Sequence, residues 1–391
     1  MSQRPFSLSP DLARLRDEGY FVQVRGGFLV MRDVPYVAPG GDVRTGTLIS
    51  TLSLAADVTC RPDTHVVYFD GEFPHRADGT PISGIAHQSI EFDLGGGLTA
   101  KHSFSSKPPA GYADYYEKMT TYASILAGPA ATRSPEATPR VFRALEAEDE
   151  SVFEYTETAS DRAGIGALTD RLRGETVAII GLGGTGAYVL DLVAKTPVRQ
   201  IHLFDADEFL QHNAFRAPGA PSRDELRQAP KKVEYLAAIY ARMHRGIVPH
   251  AFDITADTVD HLQGITSAFL CMDAGEAKRL VIAKLEALGA TFLDVGMGLE
   301  LVDGSLGGIL RVTASTPTAR AHVHAGRVGF AGGGGNDVYA SNIQVADLNA
   351  LNAALAVVKW KKLLGFYRDL ERELHSTYTT DGNHLQNEDV P

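Results

Sequence analysis

The sequence predicts an α/β protein in which a smaller α+β domain precedes a doubly wound, mainly parallel sheet. Two observations carry this prediction. From about Glu154 onward, short apolar runs alternate with helical stretches, which is the pattern of a parallel sheet covered by helices. Before that point, strand-like runs follow one another closely and one long helical stretch follows them. We therefore expect an N-terminal domain over residues 1–150, a C-terminal domain over residues 151–375, and a polar, disordered tail over residues 376–391.

Composition and charge narrow the class of function. The 391 residues are 44% hydrophobic and 22% charged, which is typical of a globular protein with sizeable cores. The net charge of −11 argues against a general binder of nucleic acid or of membrane surfaces. The N-terminal residues lack the apolar core of a signal peptide, and no run approaches the roughly 20 apolar residues of a membrane span. We therefore expect a cytoplasmic protein that binds neither nucleic acid nor membranes.

The N-terminal domain contains clear local signals but no catalytic signature. The alternating run YFVQVRGGFLVMRDVPYV predicts a hairpin that turns at Gly26 and Gly27. The stretch YADYYEKMTTYASILAGPAA predicts a helix that ends at its Gly-Pro pair, and GPAATRSPEATP then predicts a surface loop. A further helix is expected from about Arg140 to Glu148.

The C-terminal domain is predicted as alternating strands and helices. In chain order these are strand TVAIIGL, helix TGAYVLDLVAKTP, strand QIHLFDA, helix KKVEYLAAIYARMHR, strand SAFLCMD, helix EAKRLVIAKLEALG, strands TFLDVGMGLEL and GILRVTAS, and the long helix VADLNALNAALAVVKWKKLLGFYRDLEREL. In a sheet of this kind, ligands bind beyond the carboxyl ends of the strands.

A glycine cluster lies between the first strand and the first helix of this domain. Gly181, Gly183 and Gly186 fit G-x-G-x-x-G, in which glycine lets backbone N–H groups approach phosphate oxygens. Asp205 follows about twenty residues later, at the end of the next strand, where a carboxylate can bind ribose hydroxyls. This Rossmann-like arrangement suits NAD and ATP equally, and a tight turn without a ligand is the purely structural alternative.

The residues after Asp205 favour ATP. Asn213 and Arg216 are three residues apart, and Lys231 and Lys232 begin the next helix. Hydride transfer has no evident need for these groups, whereas phosphoryl transfer builds negative charge that they can stabilise. A later strand ends at Asp273, whose carboxylate can hold Mg²⁺ beside a triphosphate.

The ordered set Gly-x-Gly-Gly-x-Gly, Asp-x-Asp, Asn-x-x-Arg, a Pro-Lys helix start and Cys-x-Asp resembles the ThiF/MoeB and ubiquitin-activating-enzyme superfamily over roughly residues 155–370. The resemblance implies a Rossmann-like adenylyltransferase that uses ATP and Mg²⁺ to activate the C-terminal carboxylate of a ubiquitin-like protein. The residue roles that it implies are a phosphate turn (Gly181, Gly183, Gly184, Gly186), nucleotide contacts (Asp205 for ribose, with Asp207), phosphate contacts (Asn213, Arg216 and Lys232 or Lys231) and a magnesium ligand (Asp273).

The resemblance also implies partners. Members of the superfamily often send an arginine into the partner subunit's site, so we expect a homodimer in which Arg162 plays this part. Arg171 and Arg173 are the other arginines near this point, and solvent-exposed helix charges are the simpler interpretation of both. The layout, with an extra domain ahead of the adenylation domain, resembles bacterial ubiquitin-like conjugation systems. The N-terminal domain is accordingly expected to recruit the carrier protein or a downstream conjugating enzyme.

The sequence departs from the superfamily at the acceptor cysteine. Many members carry a cysteine in the loop directly before the final helix, whereas this sequence has no cysteine after Cys271. Ser341 falls near that position and could accept the acyl group as an oxyester, with His322 or His324 as a base. The structural alternative is that Ser341 or Asn342 caps the final helix. Cys271 is expected to be an inert buried thiol and Cys60 a loop cysteine without chemistry.

Four other functions remain open. A sulfur-carrier-protein adenylyltransferase of cofactor biosynthesis usually has the adenylation domain alone. A tRNA-modifying dehydratase of the same superfamily would favour a basic surface. An NAD-dependent Rossmann oxidoreductase would bind NAD and would not turn over ATP. A catalytically inactive subunit of a heterodimer is disfavoured by the complete set of phosphate-contacting residues.

Overall fold

The computed structural model describes residues 8–56, 58–143, 151–155, 157, 160, 165–330 and 343–390. The chain divides into two compact units, Met1–Asp170 and Arg171–Pro391. The predicted domain boundary after residue 150 stays a prediction. Within the described ranges, no helix is long and apolar enough to cross a membrane.

The N-terminal unit is built on a six-stranded antiparallel sheet in the order β1-β2-β3-β6-β10-β7. Two short hairpins, β4-β5 and β8-β9, complete its strands. The strands are β1 (Phe21–Arg25), β2 (Phe28–Val37), β3 (Val43–Thr51), β4 (Leu54–Ala55), β5 (Val58–Thr59), β6 (Val66–Asp70), β7 (Ala86–Gln88), β8 (Phe92–Gly95), β9 (Leu98–Ala100) and β10 (His102–Ser105). The helices are α1 (Pro10–Asp17), α2 (Tyr115–Arg133), α3 (Gly166–Asp170) and a 3-10 turn (Ser83–Ile85).

The N-terminal unit confirms the predicted α+β class and corrects one helix end. The hairpin turns at Gly26 and Gly27, between Arg25 and its partner Phe28. Helix α2 runs through Pro129 to Arg133, so the predicted stop at the Gly-Pro pair is wrong. Leu126 and Ala130 on either side of Pro129 are fully buried, and this packing outweighs the hydrogen bond that proline cannot donate.

The segment after α2 contains no described helix before residue 144. A helix was expected from about Arg140 to Glu148, but Arg140 instead forms an antiparallel β-bridge with Tyr20. Residues 144–148 of that expected helix lie outside the described residues.

The C-terminal unit contains an eight-stranded sheet in the order β13-β12-β11-β14-β15-β16-β17-β18. The first five strands are parallel, and the last three extend the sheet with antiparallel pairing. The strands are β11 (Thr176–Ile180), β12 (Gln200–Phe204), β13 (Ile247–His250), β14 (Ser267–Leu270), β15 (Thr291–Val302), β16 (Ser305–Ser315), β17 (His375–Thr379) and β18 (His384–Glu388). The helices are α4 (Gly184–Val193), α5 (Gln211–Ala214), α6 (Arg223–Gln228), α7 (Lys232–Tyr240), α8 (Glu276–Ala287) and α9 (Ala346–Leu363), with a 3-10 turn (Val259–Leu262) and a short π-helical turn (Val323–Arg327).

Both faces of this sheet are covered, which confirms the predicted doubly wound, mainly parallel arrangement. All five residues of β11 are buried. Val177 and Ile179 pack into the core that contains α4, α7 and α9, while Ala178 and Ile180 pack into the core on the opposite face with α8. Successive side chains of a strand point to opposite faces of the sheet. A strand that is covered on both faces therefore has a continuous run of apolar residues in its sequence. The chain order reverses between β11 and β14, and such a switch point is where doubly wound sheets bind ligands.

Two predictions for the C-terminal part are wrong. The final helix was expected to reach Leu374 but ends at Leu363, and Gly365 adopts a positive φ of 72° just beyond it. Residues 376–391 were expected to be disordered, yet β17 pairs with the open edge of β16 and β18 pairs with β17. A polar sequence can form these strands because an open edge supplies the backbone hydrogen bonds.

A histidine pair at the β12–β13 edge predicts how stability depends on pH. His250 stacks on Phe204 at 4.3 Å, its Nε2 lies 3.0 Å from His202 Nδ1, and His261 packs 5.6 Å away. Burial and these two neighbouring histidines lower the pKa of His250 to about 4. As the pH falls, His250 is therefore protonated in the unfolded chain before it is protonated in the folded protein. The stability that is present above the unfolded pKa is lost as the pH falls towards 4.

We expect the C-terminal unit to lose up to about 3 kcal/mol of stability between pH 6.5 and pH 4 because of His250. Denaturant unfolding at several pH values measures this loss. His250→Phe should flatten the pH dependence, whereas replacing the exposed His384 with asparagine should not. An unchanged pH profile in His250→Phe would contradict the assignment.

Candidate functional site

The glycine turn lies at the carboxyl ends of three neighbouring strands. Gly181 follows β11 directly, donates its N–H to the carbonyl of Phe204 on β12, and has a φ of +88°. A Cβ at Gly181 would lie 2.5 Å from the carbonyl oxygen of Cys271, which follows β14. Both the backbone conformation and the close strand therefore require glycine here.

The next glycines bring helix α4 close to the turn. A Cβ at Gly186 would lie 1.9 Å from the carbonyl oxygen of Gly181, and a Cβ at Gly184 would lie 1.9 Å from Asn349 Nδ2. Gly183 precedes the first residue of α4, and an added Cβ there would meet no atom closer than Gln344 Oε1 at 4.0 Å. The backbone above Gly183 is thus open to a ligand, at a helix N-terminus that favours phosphate.

Asp205 connects the glycine turn with Lys232. Its Oδ2 accepts a hydrogen bond from the Leu182 N–H at 2.7 Å, and its Oδ1 accepts one from the Asp207 N–H at 2.9 Å. Lys232 Nζ lies 3.3 Å from Asp205 Oδ1 and donates to Asp207 Oδ2 at 2.6 Å, which lowers the pKa of Asp207. Lys232 Nζ also lies 3.5 Å from Asp205 Oδ2. A carboxylate has about four acceptor positions, and the two backbone N–H groups fill two of them, so a ribose hydroxyl would share the other positions with the Lys232 ammonium.

The two adjacent lysines have different surroundings. The Lys232 side chain is buried and reaches the two carboxylates. Lys231 Nζ donates to the carbonyl of Ala206 at 2.7 Å. Both therefore contact the segment that follows β12, and Lys232 is the one whose charge lies beside Asp205.

Asn213 and Arg216 place unpaired donors next to this segment. Asn213 is 1% exposed, and its Oδ1 accepts the Leu210 N–H at 2.8 Å, but its Nδ2 is buried with no hydrogen-bond partner among the described residues. Arg216 Nε is also buried without one. Burial lowers the pKa of Arg216, and the nearby Asp273 opposes this shift. Buried donors without partners cost free energy unless a ligand supplies acceptors.

The donor set fits a triphosphate. Phosphate oxygens would satisfy Asn213 Nδ2 and Arg216 Nε, and the open helix N-terminus at Gly183 would receive another phosphate. Asp273 is exposed beyond β14 and is the candidate magnesium ligand. The described residues contain no group of three or more acidic, histidine or cysteine side chains able to hold a metal alone. One carboxylate together with substrate phosphates is nevertheless a common way of holding Mg²⁺.

Helix α9 contributes a site residue that sequence reasoning missed. Asn349 is fully buried, accepts a hydrogen bond from Thr185 Oγ1 at 2.9 Å, and donates from Nδ2 to the carbonyl of Arg216 at 3.2 Å. It thereby joins helix α4 to the Arg216 segment. An asparagine inside the apolar pattern of the final helix was the available signal, because a buried polar side chain needs partners.

Two predicted residues, Arg162 and Ser341, lie outside the described residues. Other predicted residues are described and have partners of their own. Arg171 Nη1 donates to the carbonyl of Gly365. The predicted bases have other partners, since His322 Nε2 lies 2.7 Å from the carbonyl oxygen of Ala314 and His324 Nε2 lies 3.0 Å from Glu286 Oε1.

Cys271 adjoins the glycine turn without nucleophilic character. Its Cβ would lie 3.3 Å from a Cβ added at Gly186. Burial raises the pKa of its thiol to about 12, with a further contribution from the charge of Asp294. The thiol is therefore protonated at neutral pH, in agreement with the expected inert role.

Comparison with known proteins agrees with this geometry. The ThiF family matches residues 159–333, which include the glycine turn and every described residue of the site except those on α9. Residues 159–333 form a ThiF-family domain. The predicted family resemblance is therefore confirmed. A domain of unknown function, DUF6791, matches residues 10–158 ahead of the ThiF-family domain.

Individual relatives of the ThiF-family domain are distant. Ubiquitin-like modifier-activating enzyme 5 of Culex quinquefasciatus is 23% identical over 159 residues, which are 38% of this chain and 40% of the relative. The Caenorhabditis briggsae enzyme of the same name is 24% identical over 208 residues, 49% of this chain and 48% of the relative. The chain thus spans less than half the length of these relatives.

Solved structures to which the chain is similar include E. coli MccB with ATP. It is 16% identical, the match covers 58% of this chain and 67% of MccB, and the TM-score is 0.44. The structure of PaaA is 14% identical, the match covers 57% of this chain and 75% of PaaA, and the TM-score is 0.43.

Proposed function

We propose that this protein uses ATP to adenylate the C-terminal carboxylate of a second protein, and that this second protein is ubiquitin-like. The observation that carries the proposal is a pair of buried donors beside the glycine turn, Asn213 Nδ2 and Arg216 Nε, for which the described residues offer no acceptor. Together with Lys232 they offer more positive and donor groups than a ribose-binding acid needs. The oxygens of a triphosphate can accept hydrogen bonds from these groups, whereas hydride transfer does not require them.

In the proposed reaction, an oxygen of the substrate carboxylate attacks the α-phosphorus of ATP. The bond from that phosphorus to the oxygen bridging to the β-phosphate breaks, an acyl-adenylate forms, and pyrophosphate leaves. Arg216 and Lys232 stabilise the negative charge that builds on the leaving group. Asp273 would hold Mg²⁺, which supplies positive charge to the phosphates.

Two further findings support the ubiquitin-like substrate. The curated relatives described above carry the name ubiquitin-like modifier-activating enzyme 5. In addition, the ordered motifs from Gly181 to Asp273 resemble the ubiquitin-activating-enzyme superfamily as a set. A sulfur-carrier protein with a C-terminal glycine would present the same carboxylate and is the nearest alternative substrate.

Exchange of labelled pyrophosphate into ATP tests the proposal. We expect exchange only when a small protein ending in glycine is added, because the reverse reaction needs the acyl-adenylate. Asp273→Ala should lower exchange by about 10² or more, since it removes the proposed magnesium ligand. Asp257→Ala, which changes an exposed aspartate elsewhere in the same unit, is the matched control. Wild-type protein that binds ATP and exchanges no pyrophosphate with any such protein would contradict adenylation.

The proposal extends to features that rest on the resemblance and the composition alone. These are a homodimer whose sites are completed by Arg162, an oxyester on Ser341 that follows adenylation, a downstream conjugating enzyme recruited by the N-terminal domain, and a cytoplasmic location. Transfer to Ser341 predicts a covalent, hydroxylamine-sensitive adduct that Ser341→Ala no longer forms.

A further inference from the structure

Helix α9 begins at the nucleotide site and places two buried asparagines one turn apart on the same face. Asn349 and Asn352 are both fully buried. Asn349 joins Thr185 on α4 to the carbonyl of Arg216, whereas Asn352 Nδ2 donates at 2.9 Å to the carbonyl of Gly296 on β15. The two side chains are both amides, lie on the same helix and are equally buried. They differ in their hydrogen-bond partners, because only Asn349 contacts the glycine-turn helix and the Arg216 segment.

Asn349 contacts two parts of the site, the glycine turn and the main chain of Arg216, and a triphosphate bound to both requires a fixed distance between them. Its Nδ2 fits only because residue 184 is glycine, since a Cβ there would lie 1.9 Å from that atom. The same Nδ2 donates to the carbonyl of Arg216, whose buried Nε meets no acceptor among the residues that the structure describes. Asn349 thus connects α4 with the Arg216 main chain through two hydrogen bonds, and the hydrogen bonds described in this structure provide no second connection of this kind.

We propose that Asn349 is a positioning residue that fixes Arg216 and the glycine turn relative to each other so that both reach the same triphosphate. The inference rests on the proposed function, because it assigns the group through which helix α9 serves that site. Its two hydrogen bonds have separable tasks. The Thr185 hydroxyl bond holds the N-terminus of α4 and so governs ATP binding. The bond to the Arg216 carbonyl sets where the guanidinium stands and so governs the rate.

A small set of variants separates these tasks. Asn349→Asp keeps the acceptor for Thr185 and removes the donor to the Arg216 carbonyl, so the kcat of pyrophosphate exchange should fall at least tenfold with little change in the KM for ATP. Thr185→Ala should do the reverse and raise the KM while kcat stays within about threefold. Asn352→Asp is the matched control, and its kcat should stay within about threefold of wild type.

Affinity for ATP gives a second readout that does not require the protein substrate. In calorimetric titrations with Mg²⁺ and ATP, Asn349→Leu should bind at least tenfold more weakly than wild type, and Asn352→Leu should stay within threefold. Thermal unfolding shows whether the variants are folded. If Asn349→Leu is not folded, Thr185→Ala replaces it, because it removes the same hydrogen bond to the N-terminus of α4 and should also weaken ATP binding. Equal losses of affinity at positions 349 and 352 would overturn the inference. ATP affinities that follow the prediction without any wild-type exchange would support the positioning role and contradict adenylation instead.

Discussion

Replacing Arg216 with alanine is expected to lower the rate of adenylation at saturating ATP by a factor of about 10²–10³. Arg216 Nε is buried beside the glycine turn and has no hydrogen-bond partner in the described part of the chain. Burial lowers the pKa of Arg216, and Asp273 opposes the shift. A donor held ready at the position where charge develops stabilises the transition state more than the bound substrate. The effect should therefore fall mainly on kcat.

The measurement is steady-state pyrophosphate exchange with wild-type and variant protein of equal folded fraction. Arg227→Ala is the control, because Arg227 is an exposed arginine of the same unit that pairs only with Asp224 on its own helix in the described contacts. Arg216→Lys should recover part of the rate, since lysine restores the charge without the planar set of donors. A loss of less than threefold in Arg216→Ala would show that Arg216 does not serve the reaction.

Replacing Asp294 with alanine is expected to destabilise the C-terminal unit by about 3–5 kcal/mol. The Asp294 carboxylate is fully buried beside β14 and accepts from Lys278 Nζ at 2.6 Å and from Arg311 Nη2 at 2.7 Å. Lys278 is also buried. Removing the carboxylate leaves two cations without their shared anion, one of them in the protein interior, and this desolvated charge is the source of the cost.

Denaturant unfolding followed by tryptophan fluorescence measures this loss. Trp360 is the chain's only tryptophan and is fully buried in the C-terminal unit, so its signal reports that unit. The combined variant Lys278→Met, Asp294→Leu, Arg311→Met removes all three charges and should recover most of the stability. A cost below about 1 kcal/mol for Asp294→Ala would contradict the burial of the ion cluster.

The local parts of the site could be predicted from the sequence. The glycine turn, Asp205, Asn213, Arg216 and Lys232 belong to short motifs at the ends of predicted strands and helices. A doubly wound sheet gathers the carboxyl ends of its strands at one edge, so motifs placed there come together once the order of strands is known.

The long-range contacts could not be predicted in this way. Asn349 meets Thr185 and Arg216 across separations of 164 and 133 residues, and no local pattern encodes such a contact. In the sequence, nothing distinguishes Lys278, Asp294 and Arg311 from other charged residues. The pairing of β15 with β16 brings Asp294 and Arg311 together, and the packing of α8 against β15 adds Lys278.

The edges of secondary structure also depended on packing. Helix α2 continues through Pro129 because its flanking residues are buried, and α9 stops near Gly365 although the amphipathic pattern runs further. The polar C-terminal segment forms strands because β16 offers an open edge. In each case a tertiary contact outweighs the local preference.

Titration of the purified protein with ATP and with NAD in the presence of Mg²⁺, followed by calorimetry, tests the central claim most directly. That claim is that the glycine turn and its buried donors form a triphosphate site. It predicts that ATP binds, that NAD does not, and that Thr185→Ala, which removes the hydrogen bond from Thr185 to Asn349 at the glycine turn, weakens ATP binding while Arg227→Ala leaves it unchanged. Binding of NAD without binding of ATP would contradict it and would identify the site as one for a hydride carrier.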